Sequence, residues 1–186
     1  MKSDLRVALT ERMLKEGLVR CLTDKPLSRI TVSELCREAG VNRATFYNHY
    51  QSPAMVLRAI TRDYGRQLKE VFESSYQTGG QDRARGVEAC LEYLNERHTE
   101  VMVLLSENAE NNVVRFAEEM VDELAADDAM LAGLGVEGGD EARYLYAAVT
   151  ASAAYGLIRV WLRGDISKSP AELVKLLVDV FGNKLT

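Results

Sequence analysis

The sequence predicts an all-α protein, an N-terminal three-helix helix-turn-helix head followed by a C-terminal helical bundle, and three observations predict it. Apolar residues recur at steps of three and four in one segment after another. Capping residues stand at the starts of these segments and glycines at their stops. No segment shows the sustained alternation of a half-buried strand.

From Asp4 to about Leu22, Val7, Leu14, Leu18, Cys21 and Leu22 mark a first helix with one buried face, and Thr23-Asp24-Lys25-Pro26 ends it. Thr31 and Glu34 form a T-x-x-E capping box that opens a second helix, whose apolar face is Val32, Leu35, Cys36 and Ala39. Gly40 supplies a left-handed stop, Val41 returns to the core, and Asn42 caps a third helix that starts at Arg43. Ser52-Pro53 then reads as an N-cap followed by proline at the first helical position, where its missing N–H costs nothing. This fourth helix carries Leu57, Ile60, Tyr64, Leu68, Val71 and Phe72 on one face and runs to about Tyr76, before Gly79-Gly80. Further helical patterns span 83 to 107 (with His98 a candidate break), 111 to 126, 140 to 163 and 170 to 184. The last opens with Ser169-Pro170 and Glu172 as a second capping box, and Gly133 to Gly139 is the one long glycine-rich loop. Residues 1–50 are taken as the head and 51–186 as the body, with the helix over 52–76 connecting them.

Composition narrows the function classes. With 47% hydrophobic and 27% charged residues the chain has the makings of a packed core, and neither a disordered nor a fibrous protein is indicated. The start, Met1-Lys2-Ser3-Asp4 followed by Arg6, Glu11 and Arg12, does not read as a signal peptide, and no run is expected to reach bilayer-spanning length, so no membrane partner is predicted. Cys21, Cys36 and Cys90 show no C-x-x-C spacing, which favours reduced core thiols and a cytoplasmic location. The net charge of −5 hides an asymmetry. Residues 1–50 hold nine Lys and Arg against six Asp and Glu, while the remainder holds fourteen against twenty-two, so the head is the part suited to a polyanion.

In a helix-turn-helix the second helix enters the major groove and presents its side chains to base edges. Residues 31 to 50 suit that task. Phe46 and Tyr50 can turn their rings inward against Leu35 and Val41, which leaves Arg43, Ala44, Thr45, Tyr47, Asn48 and His49 facing outward. Arg43 can bond a guanine in bidentate fashion, Ala44 can touch a thymine methyl, and the others can reach phosphates or bases. Asn42 lies at the start of the same helix, and Thr31 and Ser33 can add phosphate contacts from the helix before it. A capped helix hairpin with a polar outer face also occurs in proteins that never meet DNA, so the pattern alone leaves both readings open.

The stretch from Ile30 to Tyr50, ITVSELCREAGVNRATFYNHY, closely resembles the DNA-binding signature of the TetR family. It has Thr-Val before the second helix, Ala-Gly-Val at the turn and an aromatic-Tyr-x-x-aromatic third helix. The resemblance implies groove contacts by Arg43, Ala44 and Thr45 and phosphate contacts by Tyr47 and His49. The family's fourth helix commonly begins with a phosphate-binding lysine, where this sequence has Pro53. Tyr155 to Leu162, followed by the Ser169-Pro170 helix, is similar to a subgroup near the dihydroxyacetone-kinase regulators, whose last two helices form a dimer interface. The resemblance implies a homodimer on palindromic operator DNA, most often a repressor released by a small-molecule effector, although this subgroup includes activators.

In the body, Ala147, Ala148, Ala151, Ala153, Ala154 and Gly156 make a small-residue surface, and Leu173, Leu176, Leu177, Val180 and Phe181 an apolar stripe. Together they suit a dimeric four-helix seam, with plain intramolecular core as the alternative. Met102, Phe116, Met120, Tyr144, Tyr155 and Trp161 are candidates to line an effector pocket, although such residues at helical spacing commonly serve as core. His98 has no second histidine near it in sequence, so no metal site is expected, and the Glu107, Glu110, Glu118 and Glu119 cluster reads as a solvated face. No nucleophile with its base, phosphate-cradling loop or ligand set appears, so neither an enzyme nor a cofactor is predicted. The main rival is a helical adaptor whose head binds protein partners in place of DNA.

Overall fold

A computed structural model of the chain describes residues 2–78, 82–109, 121–122, 125–126 and 138–181. Among the described residues the regular structure is helical: α1 (Lys2–Asp24), α2 (Val32–Ala39), α3 (Arg43–His49), α4 (Pro53–Thr78), α5 (Arg83–Glu96), α6 (His98–Leu104), α7 (Asp140–Leu162) and α8 (Pro170–Phe181). Short 3-10 turns lie at Leu27–Arg29 and Glu107–Ala109. The chain divides into two compact units, one of Met1–Tyr64 with Thr99–Val113 and the other of Gly65–His98 with Val114–Thr186. The division falls later than residue 50 and returns a segment beyond 98 to the first unit.

In the first unit α1 buries Leu14, Leu18 and Leu22 completely, one residue per turn, whereas Val7 stays 43% exposed because the stripe runs past the end of the core. Gly17 lets α1 and α2 approach closely, since a Cβ there would fall 2.9 Å from the Cβ of Ala39. The α1–α2 register is further tied by Arg20 to Glu38 at 2.7 Å and Lys25 to Glu34 at 2.6 Å. Thr31 and Glu34 form the reciprocal capping box, and Gly40 closes α2 in the left-handed region at φ 67°, with the Val41 N–H on the Cys36 carbonyl at 2.9 Å. Phe46, Val56, Leu57 and Ile60 complete a core that also takes in Leu104 and Ala109. Asn108 donates its side-chain amide to the Leu22 carbonyl at 2.9 Å, satisfying one of the orphan acceptors in the last turn of α1.

The second unit holds the later half of α4 with α5, α7 and α8. α8 packs on α5, with Leu173 and Val174 of the one and Leu91 and Leu94 of the other buried. Tyr93 hydrogen-bonds Gln67, the Cys90 thiol donates to the Leu68 carbonyl at 3.4 Å, and the Arg97 guanidinium stacks 3.8 Å from the Tyr93 ring centre. The pattern from 83 to 107 breaks at Arg97, and His98 donates from Nε2 to the Leu162 carbonyl at 2.7 Å. Trp161 donates its indole N–H to the Lys168 carbonyl at 2.8 Å, and Ser169 with Glu172 forms the second capping box. The helical pattern at 111 to 126 lies almost wholly outside the described residues.

The expectation that no run reaches bilayer-spanning length is corrected. α7 is 23 residues long with a mean hydropathy of 1.3 in its most apolar 18-residue window, enough by length and composition to cross a bilayer. Its run of alanines between Tyr146 and Tyr155 masks this apolarity when the sequence is scanned for bulky residues.

Candidate nucleic-acid interface

The site is built on α3, which is only two turns long and owes its placement to both flanks. Asn42 accepts the Thr45 N–H on its side-chain oxygen at 2.7 Å, starting the helix at Arg43. Phe46 is fully buried and Tyr50 is 9% exposed, their rings tilted with centres 6.4 Å apart. Burial of a ring of this size is worth roughly 1.5 to 3 kcal/mol, ample to fix one face of so short a helix. With that face committed, Arg43, Ala44 and Asn48 stand exposed and Thr45 half-buried. Tyr47 is 52% exposed, its ring edge-on to Phe46 at 5.4 Å. These residues form a single outward face with a guanidinium, a methyl, a phenol and an amide, donors and acceptors suited to base edges and phosphates.

Around α3 the predicted residues take different parts. Thr31 is exposed but its hydroxyl is engaged in the capping box, 3.2 Å from both the Glu34 N–H and the Glu34 carboxylate, while Ser33, two residues on, is exposed. The Lys25 ammonium, then the Thr31 N–H, hold the Glu34 carboxyl at about 2, well below its ordinary value. His49 departs from the outward placement that spacing suggested. Its side chain is 11% exposed and Nδ1 lies 3.5 Å from a carboxylate oxygen of Glu11 on α1.

The predicted effector residues are dispersed. Met102 is half-buried in the first unit, whereas Tyr144, Tyr155 and Trp161 belong to the second. Phe116 and Met120 lie outside the described residues. Trp161 is 7% exposed with its single donor engaged, Tyr155 takes Arg159 at 3.5 Å, and Tyr144 is 52% exposed. Tyr144 borders an open cleft of about 400 Å³ with Asp122, Ala125, Ala126, Asp140 and Arg143.

The small-residue surface of α7 is also divided. Ala147 and Ala151 are buried against Val121, while Ala153 and Gly156 are exposed. The exposed stripe of α7 instead carries Leu145 (58%) and Val149 (64%), with Leu176 of α8 at 45%. Sequence reasoning passed over Leu145 and Val149, although their spacing at steps of four and three continues through Ser152 to Gly156.

Comparison with known proteins accords with this geometry. Residues 16–60 match the family described as bacterial regulatory proteins, tetR family, and residues 82–183 match a transcriptional regulator C-terminal region of the same family. The chain belongs to the TetR family. This family is one of transcription factors and not of enzymes. An uncharacterized HTH-type transcriptional regulator of Bacillus subtilis (strain 168), YxbF, is 22% identical over 178 residues, covering 94% of this chain, which spans only 45% of that protein. Two solved structures share the TetR-family fold at 17% identity. The dihydroxyacetone kinase operon activator DhaS has a TM-score of 0.55 over 92% of this chain and 93% of its own. AlkX, a TetR family repressor from Dietzia sp. strain DQ12-45-1b implicated in biodegradation of n-alkanes, has a TM-score of 0.58 over 94% of each chain.

Proposed function

We propose that this TetR-family chain is a cytoplasmic homodimer that binds palindromic operator DNA and represses transcription until a small-molecule effector releases it. The observation that carries the reading is the exposed face of α3, Arg43, Ala44, Tyr47 and Asn48, set on a helix whose Phe46 is fully buried. Arg43 and Ala44 read bases, Thr45, Tyr47 and Asn48 reach bases or backbone, and Asn42, Thr31 and Ser33 shape or flank the two helix starts. Pro53 withholds a lysine from the start of α4, so anchoring there relies on backbone groups.

A second copy is the natural occupant of the apolar stripe of α7. Leu145 and Val149 of α7, with Leu176 of α8 exposed in the same unit, leave bulky apolar side chains in water. A two-fold axis would present this stripe to itself and supply the paired reader that half-sites about 34 to 36 Å apart require. The effector is received by the C-terminal region, where Tyr144 and Tyr155 offer aromatic surface and the cleft beside Tyr144 is of ligand size.

Selection from a random-sequence DNA pool with the full chain tests the reading. A two-fold symmetric motif with salt-sensitive affinity is expected. Arg43→Ala should cost about 1 to 3 kcal/mol of discrimination at one base pair per half-site, and Tyr47→Phe should weaken all sequences alike. Absence of any enriched motif would overturn the assignment in favour of a protein-binding adaptor.

A further inference from the structure

We propose that His49 is a positioning residue, which holds the last turn of α3 against α1 through Glu11 and makes no phosphate contact, an inference that rests on α3 being the DNA-reading helix. The ring is covered, with only 11% of the side chain exposed, and its Nδ1 faces a carboxylate at 3.5 Å. That distance is at the outer limit for a hydrogen bond, so coverage of the ring together with this polar contact holds it in place. A phosphate brought to the same place would meet the Glu11 carboxylate, an anion on α1 with which it would compete.

The surroundings make a polar corner shared by three helices. α1 contributes Glu11 and Lys15, α4 contributes Asp63, and Tyr50 closes α3, its ring centre 6.4 Å from that of His49. Lys15 holds Asp63 at 2.6 Å, so α1 is tied to α4 beside the point where it meets α3. Burial, then Glu11 and Asp63, push the Tyr50 hydroxyl up to about 12, so it stays neutral between the two acids.

Geometry says why a third anchor matters. Phe46 and Tyr50 are four residues apart and lie almost in one line along α3, so by themselves they let a two-turn helix roll about that line. His49 lies on the flank of the line, about 60° from Phe46 and 100° from Tyr50 around the axis at 100° per residue. Pinning it to Glu11 fixes the roll and so fixes which atoms of Arg43, Tyr47 and Asn48 point outward.

The test is a cycle of variants of the full chain, titrated with the selected operator across a salt series. His49→Ala and Glu11→Ala should each weaken binding roughly 3- to 10-fold, and the double variant no more than either single change. His49→Asn, whose side-chain amide places a donor where Nδ1 stood, should recover most of the loss. The slope of log affinity against log salt should stay the same throughout. A slope lowered by about one per half-site in His49→Ala, or losses that multiply in the double variant, would overturn the proposal. The same four chains melted without DNA keep the two readings apart. If the unaltered chain selects no DNA, the assigned function falls, while melting shifts of the single variants that fail to add still support the inward role of His49, and shifts that add refute it.

Discussion

Gly17→Ala isolates the contact that sets the spacing of α1 and α2. A Cβ at position 17 would lie 2.9 Å from the Ala39 Cβ and 3.1 Å from both the Ala39 Cα and backbone N. Two of these three atoms are backbone and cannot rotate away, and α2 is tied to α1 on either side by Arg20–Glu38 and Lys25–Glu34. Ordinary carbon contacts of roughly 3.5 to 4.0 Å return only if the helices separate by about 0.5 to 1 Å, a gap that forfeits a quarter to a half of the dispersion between the faces around it. Overpacking of this kind costs about 1 to 3 kcal/mol, while replacing a mid-helix glycine returns about 0.8 to 1 kcal/mol of helix propensity. The balance is a loss centred on about 1 kcal/mol and reaching about 2 kcal/mol, which for a chain of this size lowers the melting temperature by roughly 2 to 4 °C per kcal/mol. Thermal melts followed by far-ultraviolet circular dichroism measure it. Adding Ala39→Gly should restore only part of the loss relative to its own single variant, because the backbone contacts persist. A Gly17→Ala chain that melts at or above the unaltered protein would show that propensity outweighs packing here and refute the argument.

Three further outcomes follow from particular contacts. The Glu34 carboxyl is depressed from 4.5 to about 2 by Lys25 and the Thr31 N–H, so its contribution is complete above 4.5 and lost as pH falls toward 2. Melting temperatures of Glu34→Gln should therefore lie below those of the unaltered chain at neutral pH and converge with them in acid, and parallel curves would contradict this. Val149→Glu places a charge on the 64%-exposed position of the α7 stripe and should yield folded monomers in sedimentation experiments, whereas an intact dimer would remove this stripe from the seam. Trp161→Phe keeps an aromatic ring but removes the donor to the Lys168 carbonyl and some buried volume, and it should cost at least about 1 kcal/mol in chemical denaturation, with no change in stability counting against the bond's role.

Local signals were the legible ones. Thr31-x-x-Glu34, Gly40, Asn42 and the Ser169 box act on backbone groups within a few residues, so the sequence carries nearly the whole determinant of those helix ends. Phe46 and Tyr50 were legible as inward because helical periodicity alone separates them from Arg43, Ala44 and Tyr47. The orientation of His49 was not, since it depends on a carboxylate 38 positions earlier that no periodicity connects to it. Lys15 with Asp63, and Asn108 with Leu22, are likewise long-range matches that only the packed chain reveals. The break expected at His98 falls there, with Arg97 closing α5 and His98 opening α6, whereas the exposure of Leu145 and Val149 depends on which face of α7 the rest of the unit covers.

The return of Thr99–Val113 to the first unit limits how the head can be exchanged between relatives. A chimera that transplants only the first 64 residues would leave the Leu22 carbonyl without Asn108 and open a hole where Leu104 and Ala109 fill the core. The heritable cassette is thus discontinuous in the gene, two separated stretches that can be swapped successfully only together. A single crossover after the reading helix would pair the α1 of one relative with the 104–109 segment of another, whereas point substitution on the outer face of α3 leaves both the Asn108 contact and the core around Leu104 untouched.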